Sequence, residues 1–365
     1  MTPTAPAPAS GEKFADFLAR VRPQIDEYLA DHAALPMGDA VEAARPATGD
    51  GTPCVSADLD SYLYQPLAEF TSRGGKRTRP ALALLGAEAV GAAGEKALPA
   101  AAAVELFQSA ALVHDDIADE GELRRGKPCL HRTEGVGIAT NVGDLGIVQT
   151  FGLLLGEGDL TPAVRMRLLD ELLRMERWTL EGQALDLGWA RDGRWDVTVS
   201  DYLAMATRKT AYYSAAVPLA MGAICGGGTD AQVEALRAFG MDAGLAFQLQ
   251  DDLLNLVGDA GRQGKDFRTD ITEGKRTMAV CFALEHLAPD DRDELVGLLS
   301  AHVSDPASLA RAVALMGQAG ALDAVRTEAR ELAASAKGRL EDMELAPGTR
   351  GVLESMADFF VERAG

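Results

Sequence analysis

VELFQSAALVHDDIADEGELRRGKPCLHR, residues 104–132, decides how the rest of the chain is read. A long apolar run ends in Asp115, Asp116 and Asp119, and Arg124 and Arg125 follow soon after. Aspartate is a poor helix former and is costly to desolvate unless it is paired or binds a metal. At about 100° per residue, Asp115 and Asp119 lie roughly 40° apart on a helix, and Asp116 about 100° from Asp115. One cation can therefore sit between the first and last aspartates. Oxygen-only, carboxylate-rich ligation suits Mg2+, which keeps several waters and commonly bridges to phosphate. The two arginines would then face the anion that the metal holds.

The theme returns in FQLQDDLLNLVGD (247–259), where Asp251, Asp252 and Asn255 stand at the same spacing and Asp259 one turn on. A single acidic run is weak, because such runs commonly form a solvated helix end. Two runs, each preceded by an apolar helix and followed by cations, are hard to explain as solvation. Two such helix ends can face each other across a cavity. Upstream, GGKRTRP (74–80) places Lys76, Arg77 and Arg79 in a glycine-led turn before a helix. Such a turn lets backbone approach a phosphate while the cations neutralise it.

In these stretches the chain resembles the trans-isoprenyl diphosphate synthases, the polyprenyl synthetase family, and most of all a bacterial geranylgeranyl diphosphate synthase. GGKRTRP (74–80), FQSAALVHDDIAD (107–119), RRGKP (124–128), GQALD (182–186), RKT (208–210), FQLQDDLLN (247–255) and GKDFRTDITEGKRT (264–277) carry the resemblance, in the family's order. One departure is Asn255, where the family most commonly has aspartate; Asn keeps a carbonyl acceptor and loses a charge.

The resemblance implies an all-α fold, one large helical bundle around a central apolar cavity. It also implies head-to-tail condensation of isopentenyl diphosphate with an allylic diphosphate such as dimethylallyl, geranyl or farnesyl diphosphate. Asp115, Asp116, Asp119, Asp251 and Asp252 would hold Mg2+, three ions per active site. Lys76, Arg77, Arg79, Gln108 and Arg125 would serve the isopentenyl side, and Arg124, Lys209, Thr210, Gln248, Lys265 and Lys275 the allylic side. Gln183 and Asp186 lie one helical turn apart and read equally well as a buried polar network. Ionisation leaves an allylic carbocation, the isopentenyl double bond attacks it, and a proton departs with the diphosphate. No nucleophilic side chain is required, but water must be excluded.

Product length is read on the first aspartate helix. Ala111, Ala110 and Phe107 stand four, five and eight residues before Asp115, and four residues span about 6 Å of helix. Relatives that stop at fifteen carbons usually carry bulky aromatics at the positions of Ala110 or Ala111. Two alanines let the tail pass, and Phe107 forms the expected floor, which favours a twenty-carbon product over one of fifteen or of twenty-five and more.

Composition agrees with a helical enzyme. The chain has 365 residues, 47% hydrophobic, only 5% aromatic, and a net charge of −20. That charge argues against nucleic acid and anionic membrane surfaces as partners. Cys54, Cys129, Cys225 and Cys281 form no CxxC pair, so neither a zinc site nor disulfides are indicated. The start lacks the features of a signal peptide, and no uninterrupted apolar run reaches membrane-span length, so a cytoplasmic protein is expected. Residues 1–13 read as a disordered tail and 14–365 as one all-helical domain, expected to form a homodimer. Helices are expected at 14–33, 136–156, 162–189, 199–223 and 229–258, with three or four more to the end. The rival readings are a class I terpene cyclase, a non-catalytic partner subunit and a helical scaffold. A cyclase needs no second diphosphate site, a partner subunit typically loses one aspartate cluster, and a scaffold leaves both clusters unexplained.

Overall fold

The structure is a computed structural model that describes residues 11–32, 56–258 and 268–362. Residues 1–10, the expected loop at 34–53, Asp259 and Lys265 lie outside the described residues. Among the described residues the regular structure is helical, apart from one pair of two-residue strands. The all-α expectation therefore holds.

The described residues form two compact units: 15–32 and 56–173 with Pro218–Thr229, and Arg174–Val217 with 11–14 and the described residues from Asp230 on. The first contains α1 (Phe14–His32) from Ala15 on. Its Phe17, Val21, Ile25 and Leu29 recur every four residues and are buried, the apolar stripe that makes an amphipathic helix dock. Each such side chain contributes about 1.5–3 kcal/mol on burial. Next come α2 (Gln65–Ser72), α3 (Thr78–Ala89) and α4 (Leu98–Ala118). α3 and α4 are alanine-rich and buried nearly all round, so neighbouring backbones can approach closely. α5 (Val136–Gly156) crosses α4 with Gly146 directly against Ala110; a Cβ added at Gly146 would come 2.8 Å from the Ala110 methyl.

α6 (Pro162–Arg191) is a 30-residue helix that begins in the first unit and ends in the second. α7 (Val199–Ala206), in the second unit, runs on through a ten-residue π-helix, Thr207–Ala216, into α8 (Val217–Cys225), which belongs to the first unit from Pro218 on. The sequence reading had one helix here; the wider π turn in its middle carries RKT. α9 (Asp230–Val257) packs against that π-helix with Gly244 at Ala211, a contact a side chain would block. Beyond the short helix Thr269–Thr272, five further helices follow among the described residues: α10 (Met278–His286), α11 (Pro289–Ser300), α12 (Pro306–Gln318), α13 (Ala321–Arg339) and α14 (Thr349–Glu362). That exceeds the three or four expected, because short helices with Pro at their starts read as turns in sequence. Leu249, Leu253, Ile271, Leu295, Leu315 and Val325 are among the residues that form the second unit's core.

Two helical segments, Gly94–Ala118 and Val136–Gly156, are long and apolar enough to cross a bilayer by length and composition. The apolar window of the first is 72% buried within the protein, as a core helix would be.

Candidate active site

In the first unit, α4 ends in Asp115, Asp116 and Asp119, with Asp119 as C-cap. The helix macrodipole places partial negative charge at this end, so carboxylates here call for a cation. The sequence supplies one to Asp116, which is only 1% exposed. Arg124 donates Nε at 2.8 Å and Nη2 at 2.5 Å to Asp116 Oδ1. Asp116 Oδ2 is buried with no hydrogen-bond partner. Asp115 is half-buried and Asp119 exposed.

Arg124 reaches Asp116 because β1 (Leu123–Arg124) folds back on β2 (Lys127–Pro128). Arg125 and Gly126 form the turn, both with positive φ (53° and 76°), the conformation that two-residue hairpin turns favour. The turn carries Arg125 onto Gly75. A Cβ on Gly75 would meet the Arg125 guanidinium carbon at 3.3 Å, and its φ of +142° also demands glycine. Arg73 Nη1 ties the two loops together by donating to the Pro128 carbonyl at 3.0 Å.

Arg77 has a different task from the one its motif suggests. It is buried, with Nε donating to Asp26 Oδ1 at 2.8 Å, Nη1 to Glu105 Oε1 at 2.5 Å and Nη2 to the Thr71 carbonyl at 2.9 Å. Every guanidinium nitrogen is engaged by protein. Burial alone would lower its pKa, but Glu105 and Asp26 outweigh that and hold it above the ordinary arginine value. Arg125 is the opposite case: burial pushes it down, Glu105 resists, and Arg77, Arg124 and Arg79 push further down. Its Nη1 is buried with no acceptor, and Gln108 Oε1 is buried with no donor. Lys76 is exposed and Arg79 half-buried. Crowded guanidiniums with a donor left over have the chemistry to accept an oxyanion.

The aspartates of the second unit end α9 in the same way. Asp252 is buried; it accepts from Tyr202 Oη at 2.5 Å and Gln248 Nε2 at 2.6 Å. Burial, reinforced by the nearby Asp270 carboxylate, raises it to about 8. Asp251 is half-buried. Asn255 faces the chain itself: Nδ2 donates to Thr269 Oγ1 at 3.1 Å, and Oδ1 accepts the Asp270 N–H at 3.3 Å. It thereby pins the short helix Thr269–Thr272. Lys209 Nζ donates to Asp186 Oδ2. Gly182 of GQALD lies against the Lys209 backbone, with no room for a side chain. Thr210 is buried, and Lys275 pairs with Glu273 and lies 3.9 Å from Asp270. Asp270, raised to about 6 chiefly by burial, was not singled out in sequence, nor were Glu105 and Tyr202. Glu105 left one usable signal, a carboxylate one turn before Gln108 inside an apolar helix.

Of the chain-length residues, Phe107 and Ala110 are buried and Ala111 half-buried. Ala111 lies on the Asp115 face, about 40° away, whereas Ala110 is about 140° away and faces α5.

All-helical architecture with acid-tipped helices and an arginine-lined loop defines a class of enzyme that handles diphosphates. A family model described as polyprenyl synthetase matches residues 60–316. The short chain isoprenyl diphosphate synthase of Methanothermobacter thermautotrophicus is 36% identical over 326 residues, 89% of this chain and 95% of that protein. The geranylfarnesyl diphosphate synthase of Natronomonas pharaonis is 36% identical over 352 residues, 92% of this chain and 99% of that one. Among solved structures, the geranylgeranyl pyrophosphate synthetase from Pyrococcus horikoshii Ot3 matches with a TM-score of 0.82 and 29% identity, over 96% of this chain and 100% of that chain. The chain belongs to the polyprenyl synthetase family, whose enzymes are prenyltransferases that join isoprenyl diphosphates head to tail.

Proposed function

We propose that this chain condenses isopentenyl diphosphate with dimethylallyl, geranyl or farnesyl diphosphate and stops at the twenty-carbon product, geranylgeranyl diphosphate. The observation that carries the reading is the Arg125 Nη1 donor, buried without an acceptor beside Arg77, Arg79 and Arg124. A diphosphate supplies both the missing acceptor and the missing negative charge.

Lys76, Arg79, Arg125 and Gln108 hold isopentenyl diphosphate in this proposal. Arg124, Lys209, Thr210, Gln248, Lys265 and Lys275 serve the allylic diphosphate. Arg77 leaves the substrate set, its nitrogens being engaged by protein. Asp115, Asp119 and Asp251 would hold Mg2+, three ions in all. The donors fit. Asp115 and Asp251 are half-buried and Asp119 is exposed at a negatively polarised helix end. Among the described residues, no three His, Cys, Asp or Glu side chains group as a closed cage. Mg2+ usually takes one or two carboxylates and completes its shell with water and phosphate. When bound it supplies Lewis-acid stabilisation of the leaving diphosphate. Asp116 and Asp252, both buried, act as anchors that orient Arg124 and Gln248. The allylic C–O bond breaks, the isopentenyl double bond attacks the cation, and the departed diphosphate takes the proton.

Met166, Leu173, Leu180 and Leu187 recur at seven-residue intervals along α6 and are 65%, 59%, 59% and 42% exposed. A heptad stripe left bare is what a partner helix covers, which supports assembly as a homodimer. The geranylfarnesyl relative makes a twenty-five-carbon product the alternative.

Asp115→Asn and Asp251→Asn should each slow condensation of labelled isopentenyl diphosphate at least about a hundredfold. A chelator should stop the wild-type reaction and Mg2+ restore it. Wild-type turnover in either variant would sink the reading. Mass analysis of products from each primer decides the chain length.

A further inference from the structure

Glu105 is a buried carboxylate shared by two arginines of the cluster, Arg77 and Arg125, and it has no part in the condensation chemistry. It sits on α4 one turn before Gln108, 4% exposed, where an acid is costly unless paired. It serves two arginines from opposite loops. Oε1 accepts from Arg77 Nη1 at 2.5 Å and lies 4.0 Å from Arg125 Nη2. Arg77 in turn holds the 74–79 turn by bonding α1 through Asp26 and the end of α2 through the Thr71 carbonyl. Arg125 lies across Gly75 of that same turn. One buried oxygen thus sets both the loop that carries Lys76 and Arg79 and the guanidinium that keeps a free donor.

We infer that Glu105 is a positioning residue for the isopentenyl diphosphate subsite: it fixes Arg77, and through it the basic turn, and draws Arg125 inward so that Nη1 faces the anion. The inference rests on the reading of those arginines as the diphosphate receptor. Without Glu105, Arg77 keeps Asp26 and Arg124 keeps the buried Asp116, but Arg125 loses the carboxylate beside it while Arg77, Arg124 and Arg79 still repel it, and it turns out to solvent. Arg125 borders solvent, its side chain being 21% exposed.

The test exploits a conflict of signs. Coulomb's law alone says that removing a negative charge beside an anion site strengthens anion binding. Positioning says the reverse. Glu105→Gln keeps the shape and an acceptor oxygen for Arg77 and loses the charge. Inorganic diphosphate is titrated into the full chain with a chelator present, and heat is measured. The expected result is affinity about tenfold weaker, the loss of one charge-assisted contact. The KM for isopentenyl diphosphate should rise in step, while the KM for the allylic primer stays within about twofold. Unchanged or tighter binding overturns the inference, since it leaves Glu105 as a structural group or a mere counter-ion. Should Glu105→Gln fail to fold, Glu105→Asp keeps the charge but withdraws it from Arg125 by one methylene. It should weaken binding severalfold, and wild-type affinity in that variant overturns the inference equally. If the wild-type chain itself ignores diphosphate without metal, the arginine receptor is wrong, and that failure shows before any variant is made.

Discussion

Ala110 and Ala111 are neighbours in sequence with unlike surroundings. Ala110 touches Gly146 across the α4–α5 crossing, whereas Ala111 lies on the face of Asp115. An aromatic at the two positions should therefore have different effects. Ala111→Phe should shorten the product toward fifteen carbons in a folded enzyme, read by chromatography. Ala110→Phe has no space at the glycine and should cost about 1–3 kcal/mol or more in stability. Phe107→Ala should lengthen the product; the same product mixture from Ala111→Phe and Phe107→Ala as from wild type would remove the ruler. The described thiols, Cys129 and Cys281 buried and Cys225 half-buried, make a second residue-scale prediction. Burial raises Cys129 to about 11 and Cys225 and Cys281 to about 12. A thiol kept neutral in the fold but free to ionise when unfolded stabilises the fold at neutral pH. That stability fades as pH climbs from about 9 toward 11 and 12. At pH 8, none of the three should react with a thiol-specific disulfide reagent until the chain unfolds, as mass mapping of labelled peptides will show.

Motifs gain meaning from the elements they build. RRG is a hairpin turn, and GQALD offers the flat spot on which the π-helix rests. π turns are uncommon and gather at functional sites, and this one carries Lys209 and Thr210. Gly182→Ala should push the Lys209 backbone away and lower kcat between about tenfold and a hundredfold, as small misplacements of positioned groups do. Steady-state kinetics beside a thermal midpoint will separate that from unfolding. Asn255 belongs to the same scale. Two side-chain hydrogen bonds clamp the helix Thr269–Thr272, which carries Asp270 and leads on to Lys275. Asn255→Ala should cost about 1–3 kcal/mol, the amount expected for two lost bonds, seen as a lower denaturation midpoint.

At the scale of the molecule, a chain of charge −20 builds a local surplus of arginine where its substrates are anions. The bare heptad stripe of α6 predicts assembly. Leu173→Glu with Leu180→Glu should shift the sedimentation coefficient from dimer to monomer; a dimer that survives both charges would rule out this face.

Helix periodicity, alanine content and the spacing of aspartates were written locally, so the all-α fold, most helix positions and the residues of both acidic clusters could be read from the chain alone. Relations between distant segments could not. Two-residue strands show no alternation, so the Leu123–Pro128 hairpin was invisible. Tyr202 meets Asp252 fifty residues on, and Arg77 meets Asp26 and Glu105 from three separate elements. Sequence named the charges; only tertiary structure decided which are spent on one another and which are left for a substrate, because burial and pairing depend on what the fold brings near.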